Sequence, residues 1–234
     1  MRLELSARQR LSAESIRIQT SRKSTLAIGP GFQLSILNCK LLVVARAPSI
    51  SVVALAGFMG SGKTTVGSQL ARQLAWRFVD LDDRIEDASG LRITEFFERH
   101  GETSFRLLEA AQLRATLGRA FELREPAVLA LGGGTYAQAG APDFLRTQGV
   151  PVIWLDSPIE TLLSRCMTMT GRPLFRDEST FRALHAQRLP SYQLADYRVD
   201  SAREPSLVVA DILRLGIFPS ADPNTHLLVE EPRP

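Results

Sequence analysis

From residue 50 onward, short apolar runs alternate with longer stretches in which apolar residues recur about every fourth position. SVVALAG at 51–57 is one such run, suited to a strand buried on both faces of a parallel sheet. Val66, Leu70 and Leu74 follow at intervals of four, which sets one apolar stripe along a helix. WRFVD at 76–80 predicts a second strand. DRIEDAS and ITEFFERH, parted by Gly90, predict two acidic, polar helices. Residues 102–121 predict a longer helix with Leu113, Leu117 and Phe121 on one face. AVLAL at 127–131 predicts a third strand running into three glycines, PVIWLD at 151–156 a fourth with the helix SPIETLLSRC behind it, and YRVD at 197–200 a fifth before the helix PSLVVADILRL. Strands alternating with helices predict a three-layer α/β/α domain around a five-stranded parallel sheet.

This pattern is confined to residues 50–217. Residues 1–49 are rich in Ser and Arg and are broken by Gly-Pro-Gly at 29–31, and the segment from 218 is Pro-rich and charged. The C-terminal segment reads as a flexible tail. The N-terminal one reads as a disordered tail, a targeting peptide or translation from a wrongly assigned start. A tail or a wrong start on a cytoplasmic protein is favoured, and a plastid destination stands as the alternative, since transit peptides share this composition.

The net charge of +3 changes little about function, because it is unevenly placed. Residues 1–50 carry eight basic and two acidic residues, which leaves the rest at −3. The regular part therefore has no basic excess to hold nucleic acid. No apolar run reaches the ~18 residues of a membrane span. Cys39 and Cys166 form no framework, and a reducing compartment is expected. His100, His185 and His226 lack metal-ligand spacing.

The chemistry starts at GFMGSGKTT, residues 57–65, which fits G-x-x-x-x-G-K-[ST] between a strand and a helix. Such glycines let several backbone N–H groups face one anion, and the helix points its positive end the same way. Lys63 supplies a mobile charge for the β- and γ-phosphates, and the Thr64 hydroxyl joins a Mg²⁺ shell. With Gly60, Ser61, Gly62 and Thr65 around it, this is a P-loop that binds a nucleoside triphosphate and magnesium. It does not name the acceptor of the phosphate.

Further signals follow in order. Asp80 and Asp82 close the second strand. Alternation along an extended chain puts them on one side, one for the metal and the other for an attacking hydroxyl, with Asp83 left to cap the next helix. Arg106 and Glu109, spaced i,i+3, read by themselves as a surface salt bridge of little worth. Gly132, Gly133 and Gly134 imply a close approach to the backbone. GRPL at 171–174 sits in an aperiodic segment, 167–180, and reads as a mobile lid carrying Arg172. RLPSY at 188–192 follows an Arg-rich helix.

In order and spacing, over about residues 51–215, this set resembles the shikimate kinase family. The resemblance implies that Asp80 supports magnesium, that Asp82, Arg106, Gly133 and Arg188 hold shikimate with the flanking glycines, and that Phe97 and Phe105 flank its ring. It implies that Lys63, Asp82 and Arg172 serve phosphoryl transfer, Arg172 from the lid. Arg165 would meet the adenine, and Arg203 with Pro205 would close the base pocket. Shikimate carries a carboxylate, which two arginines can hold by bidentate bonds. Leu131 stands where many members have Thr, and the lid MTMTGRPLF lacks the charges often found there. The family implies a monomer acting on small molecules. A gluconate-type kinase of the same fold, or a silent nucleotide-binding relative, are the alternatives; neither explains the FR, triple-glycine and R-x-P-x-Y set, and no catalytic residue is lost.

Overall fold

The computed structural model describes residues 50–167 and 177–218, and the backbone of three strands between residues 24 and 45. The chain divides into two units, 1–49 and 50–234. In the first, β1 (Ser24–Ala27), β2 (Phe32–Leu37) and β3 (Lys40–Ala45) form an antiparallel sheet in that order. The sequence reading placed no strand here. The alternation in FQLSIL and the apolar run in KLLVVA are strand signals, set among Ser, Arg and Gly that draw the eye to turns.

The second unit carries a five-stranded sheet of β4 (Val52–Ala56), β5 (Arg77–Asp80), β6 (Ala127–Ala130), β7 (Val152–Asp156) and β8 (Tyr197–Asp200), ordered β5-β6-β4-β7-β8. All its pairings are parallel, with Leu55 opposite Ala130 and Ile153. The connecting helices are α1 (Lys63–Leu74), α2 (Leu81–Ser89), α3 (Ile93–Leu123), α4 (Ala141–Thr147), α5 (Ile159–Met167), α6 (Glu178–Tyr192) and α7 (Pro205–Leu213).

The period of two sorts each central strand into two cores. Val52, Ala54 and Ala56 of β4, with Val152 and Trp154 of β7, face Ile85, Phe105, Leu117 and Phe181. Val53 and Leu55, with Ile153 and Leu155, face Val66 and Leu70 of α1 and Val208, Val209 and Ile212 of α7. Burial on both sides is why these strands read as continuous apolar runs. The chain leaves β4 for β5 on one side and later returns to β7 on the other, so crossovers diverge at the carboxyl end of β4. That divergence opens a crevice there.

Most predicted elements match. Gly90 (φ 68°) caps α2, and the two helical stretches around Gly101 run on as α3, broken where Gly101 takes φ 75° and ψ 173°. Two points differ. RLPSY lies inside α6, whose last turns accept Pro190. α4 and the 3₁₀ turn Thr135–Ala137 were not predicted, being too short for periodicity to show. The lid, with Arg172, lies outside the described residues, which resume at Asp177, the N-cap of α6. Among the described residues no helix is long and apolar enough to cross a membrane.

Candidate active site

The loop after β4 enters α1 through Gly62, held at φ 91°. Gly60 (φ 80°) packs so closely that a Cβ would lie 2.9 Å from Cys166 Sγ and 3.0 Å from the Leu162 carbonyl. The loop is thereby pressed onto α5. Lys63 Nζ donates to the carbonyls of Gly57 at 2.9 Å and Phe58 at 3.2 Å, spanning the loop it follows. Ser61 Oγ is buried without a hydrogen-bond partner among the described residues.

Thr64 Oγ1 donates to Asp80 Oδ2 at 2.7 Å, while Asp80 Oδ1 accepts the Asp82 N–H at 3.0 Å. Asp80, and not Asp83, is therefore the cap of α2. The helix begins at Leu81, so Asp82 sits in its first turn and not on an extended strand. Both carboxylates nonetheless line the same cleft as the P-loop. A hydroxyl and a carboxylate beside a phosphate cradle suit a hard cation that takes its other oxygens from phosphates and water. The residues present fit Mg²⁺.

That cleft, about 440 Å³, runs from the P-loop to Arg165 and the segment Ser201–Pro205. Arg165 donates to the carbonyls of Gly60 (3.2 Å), Ser201 (3.1 Å) and Ala202 (3.3 Å), tying the phosphate loop to the far wall. Arg203 pairs with Asp211 and lies 3.6 Å from Asp200.

A second cavity adjoins it across Asp82. Phe97 and Phe105 line one wall, their rings 4.4 Å apart. Arg106 and Arg188 enter from α3 and α6 and converge on one glycine. A Cβ on Gly134 would lie 2.9 Å from Arg106 Nη1 and 3.1 Å from Arg188 Nη2. Gly132 is walled in likewise, its Cβ position 2.7 Å from Asp82 Oδ1 and 3.0 Å from Glu109 Oε1. Gly132 and Gly134 are thus the space the two acids and the two arginines require, whereas a Cβ on Gly133 would meet only the Met59 backbone, at 3.5 Å.

Glu109 is the residue whose weight the sequence reading missed. It is 2% exposed, accepts from Arg106 Nη1 at 2.8 Å and from Thr135 Oγ1 at 2.6 Å, and so is no surface bridge. Its i,i+3 spacing from Arg106 marked the pair; only the fold shows that Thr135 closes over it. Arg106 also reaches the exposed Glu102 at 3.1 Å. Arg188, 7% exposed, has its pKa lowered first by burial and further by the Arg106 charge.

A model of the family described as shikimate kinase matches residues 59–215. The chain belongs to the shikimate kinase family. A shikimate kinase of Parasynechococcus marenigrum is 45% identical over 170 residues, covering 71% of this chain and 85% of that protein. One of Sulfurihydrogenibium sp. is 37% identical over 161 residues, covering 68% and 93%. Among solved structures, shikimate kinase from Acinetobacter baumannii in complex with shikimate aligns with a TM-score of 0.66 at 34% identity, over 72% of this chain and 93% of that one. A sugar kinase from Janibacter sp., at 19% identity and a TM-score of 0.54, shares the fold alone. The family, the parallel five-stranded sheet and the kinase class read from the sequence all stand.

The structure assembles the expected residues in two adjoining groups. Gly60 to Thr65, Asp80, Arg165 and Arg203 line the P-loop cleft; Arg106, Gly133, Gly134 and Arg188 line the smaller cavity, and Asp82 lines both, while Gly132 lines neither and Arg172 lies outside the described residues. Leu131, the departure from the family pattern, is buried on the wall of the nucleotide cleft.

Proposed function

We infer that the chain transfers the γ-phosphate of ATP to the 3-hydroxyl of shikimate, forming shikimate 3-phosphate and ADP. The observation that carries this is the convergence of Arg106 and Arg188 on Gly134, with Asp82 joining that cavity to the P-loop cleft. Two guanidiniums hold one carboxylate, and the ring then lies against Phe97 and Phe105. Asp82 accepts from ring hydroxyls and orients one of them toward the P-loop. That oxygen bonds to the γ-phosphorus as the β–γ bridging bond breaks, and its proton passes to Asp82 or to water. A loose transition state asks more of alignment than of basicity, so positioning is the larger part of the aspartate's work.

Lys63 swings from the loop carbonyls to the β- and γ-phosphates. Thr64 and Asp80 would hold Mg²⁺, which when bound would supply charge neutralisation to the phosphates. Arg165 and Arg203 border the adenine, and Arg172, from the family pattern, brings a further positive charge to the transferring group. A monomer working in the cytoplasm belongs to the same proposal.

The test is coupled ADP release with ATP, Mg²⁺ and shikimate, run beside gluconate, with Asp82→Asn as the comparison. Turnover on shikimate alone, lost in the variant, is expected. A folded, ATP-binding protein without shikimate-dependent release overturns the reading.

A further inference from the structure

We propose that Tyr192 is a positioning residue for the acceptor cavity: its hydroxyl pins the carbonyl of Gly133 and thereby fixes the glycine turn and Arg188 together. The inference rests on the acceptor reading above. It starts from a weakness of the site. A run of three glycines has no side chains to hold its peptide planes, and glycine turns through φ and ψ more freely than any other residue. Yet Gly133 and Gly134 line the cavity, so the planes must be held from outside.

Two of the three carbonyls are held locally. The Gly132 carbonyl accepts the Thr135 N–H at 3.1 Å, and the Gly134 carbonyl accepts the Ala137 N–H at 3.1 Å. The Gly133 carbonyl is held from another element. Tyr192 Oη donates to it at 2.5 Å and Arg188 Nη1 donates to it at 3.0 Å. The two donors sit four residues apart on α6 and so project on one face. Both donors thus meet at one carbonyl oxygen, which holds Arg188 and Tyr192 together.

Tyr192 is built for this duty. It is 1% exposed, and its ring stacks on Trp154 of β7 at 6.2 Å and 21°. The hydroxyl is thus anchored to the central sheet and not to the rim of the cavity. Burial pushes its pKa up to about 12, so the proton it donates stays in place at any working pH. Without it, Gly133 O is left to Arg188 alone. Arg188 must then serve the carbonyl and the acceptor's carboxylate with one fewer restraint on either.

The test uses the full chain and two variants, Tyr192→Phe and Trp154→Phe. Tyr192→Phe removes one hydroxyl and keeps the ring. KM for shikimate is expected to rise about five- to tenfold, the scale of one such bond, with KM for ATP within about twofold. Trp154→Phe keeps the hydroxyl but thins the packing beneath it. It is expected to lower the melting temperature and to raise KM for shikimate less than Tyr192→Phe does. Hydrogen exchange at the amides of Gly133 and Gly134 reads the clamp without any acceptor, and is expected to quicken in Tyr192→Phe. A folded Tyr192→Phe with unchanged acceptor KM overturns the proposal. Should the wild type turn over no shikimate, the acceptor reading fails by itself. Exchange then decides this inference, and unchanged protection in Tyr192→Phe overturns it.

Discussion

Replacing Glu109 by Gln tests whether the acceptor arginine is held by charge or only by shape. Gln keeps the volume, and its amide can face Arg106 with oxygen and Thr135 with nitrogen, so both contacts survive in geometry. What is lost is the negative charge, at a position 2% exposed and 2.8 Å from Arg106 Nη1. Breaking a buried ion pair outright costs about 3–5 kcal/mol. The loss here is smaller for two reasons. Arg106 keeps Glu102 at 3.1 Å, although that side chain is 63% exposed and screened by water. A hydrogen bond to the charged guanidinium also remains, and such bonds are worth about 1.5–3 kcal/mol in all. About 2 kcal/mol is therefore expected, which for a domain of this size lowers Tm by about 4–8 °C.

The same slackening shows in function. In Glu109→Gln the hold on Arg106 persists but weakens, so Arg106 turns from Gly134 more readily and the acceptor loses part of one charge-assisted contact. A loss of about 1–2 kcal/mol corresponds to a KM for shikimate raised about 5–30-fold. KM for ATP stays put, because no P-loop contact involves Glu109. Thermal unfolding and steady-state kinetics read both numbers on one preparation. A variant with Tm within about 1 °C of wild type and an unchanged acceptor KM would show that Arg106 is placed by packing alone, and the charge argument would fail.

Asp80→Asn leaves a cap on α2 but removes the charge beside Thr64; the Mg²⁺ needed for half-maximal rate is expected to rise about 10–100-fold, read by titrating the metal at fixed ATP. Gly132→Ala puts a methyl 2.7 Å from Asp82 Oδ1 and 2.8 Å from Thr135 Oγ1; displacing these groups is expected to cut turnover about 100-fold. Gly118→Ala, in α3 with nothing within 4 Å of the new carbon, is expected to add about 0.4–1 kcal/mol of stability with activity unchanged, measured by urea unfolding. Burial holds the pKa of His185, packed edge-on against Phe58 at 5.2 Å, below its usual value. The unfolded chain therefore takes up that proton first, and stability falls as pH drops through about 6.5. Urea midpoints between pH 7.5 and 5 should show a shallower decline in His185→Gln; equal slopes would remove His185 as the cause.

What the sequence made legible was local. The strand, loop and helix of the P-loop are contiguous, so apolar run, glycines, Lys63 and the stripe of Val66 and Leu70 can be read in one pass. β4, β6 and β7 are legible because a strand buried on both faces has few polar positions to blur it. Contacts between distant segments were not legible. Glu109 looks like any helical partner of Arg106 until Thr135, 26 residues on, covers it. Tyr192 looks like the end of a motif until its hydroxyl meets Gly133, 59 residues back. Asp80, Asp82 and Asp83 are three candidate caps in a row, and choosing between them needs the angle at which β5 enters α2. α4 offers one buried residue, Leu145, too few for a period.

The balance of charge in the acceptor cavity bears on which acceptor the proposed site takes. Arg106 arrives already compensated, by Glu109 beneath it and Glu102 at the rim. Arg188 does not. Its hydrogen bond goes to the neutral Gly133 carbonyl, and no carboxylate lies within ion-pair distance of it among the described residues. A guanidinium this deeply buried keeps its charge whatever surrounds it, and a buried charge without a counter-ion is held at a cost. Two guanidiniums meeting at Gly134 add repulsion to that cost. A carboxylate entering between them relieves both at once, whereas a neutral polyol relieves neither. On the proposed reading, relief of the repulsion between the two guanidiniums by an anion adds to the hydrogen bonds that the acid forms.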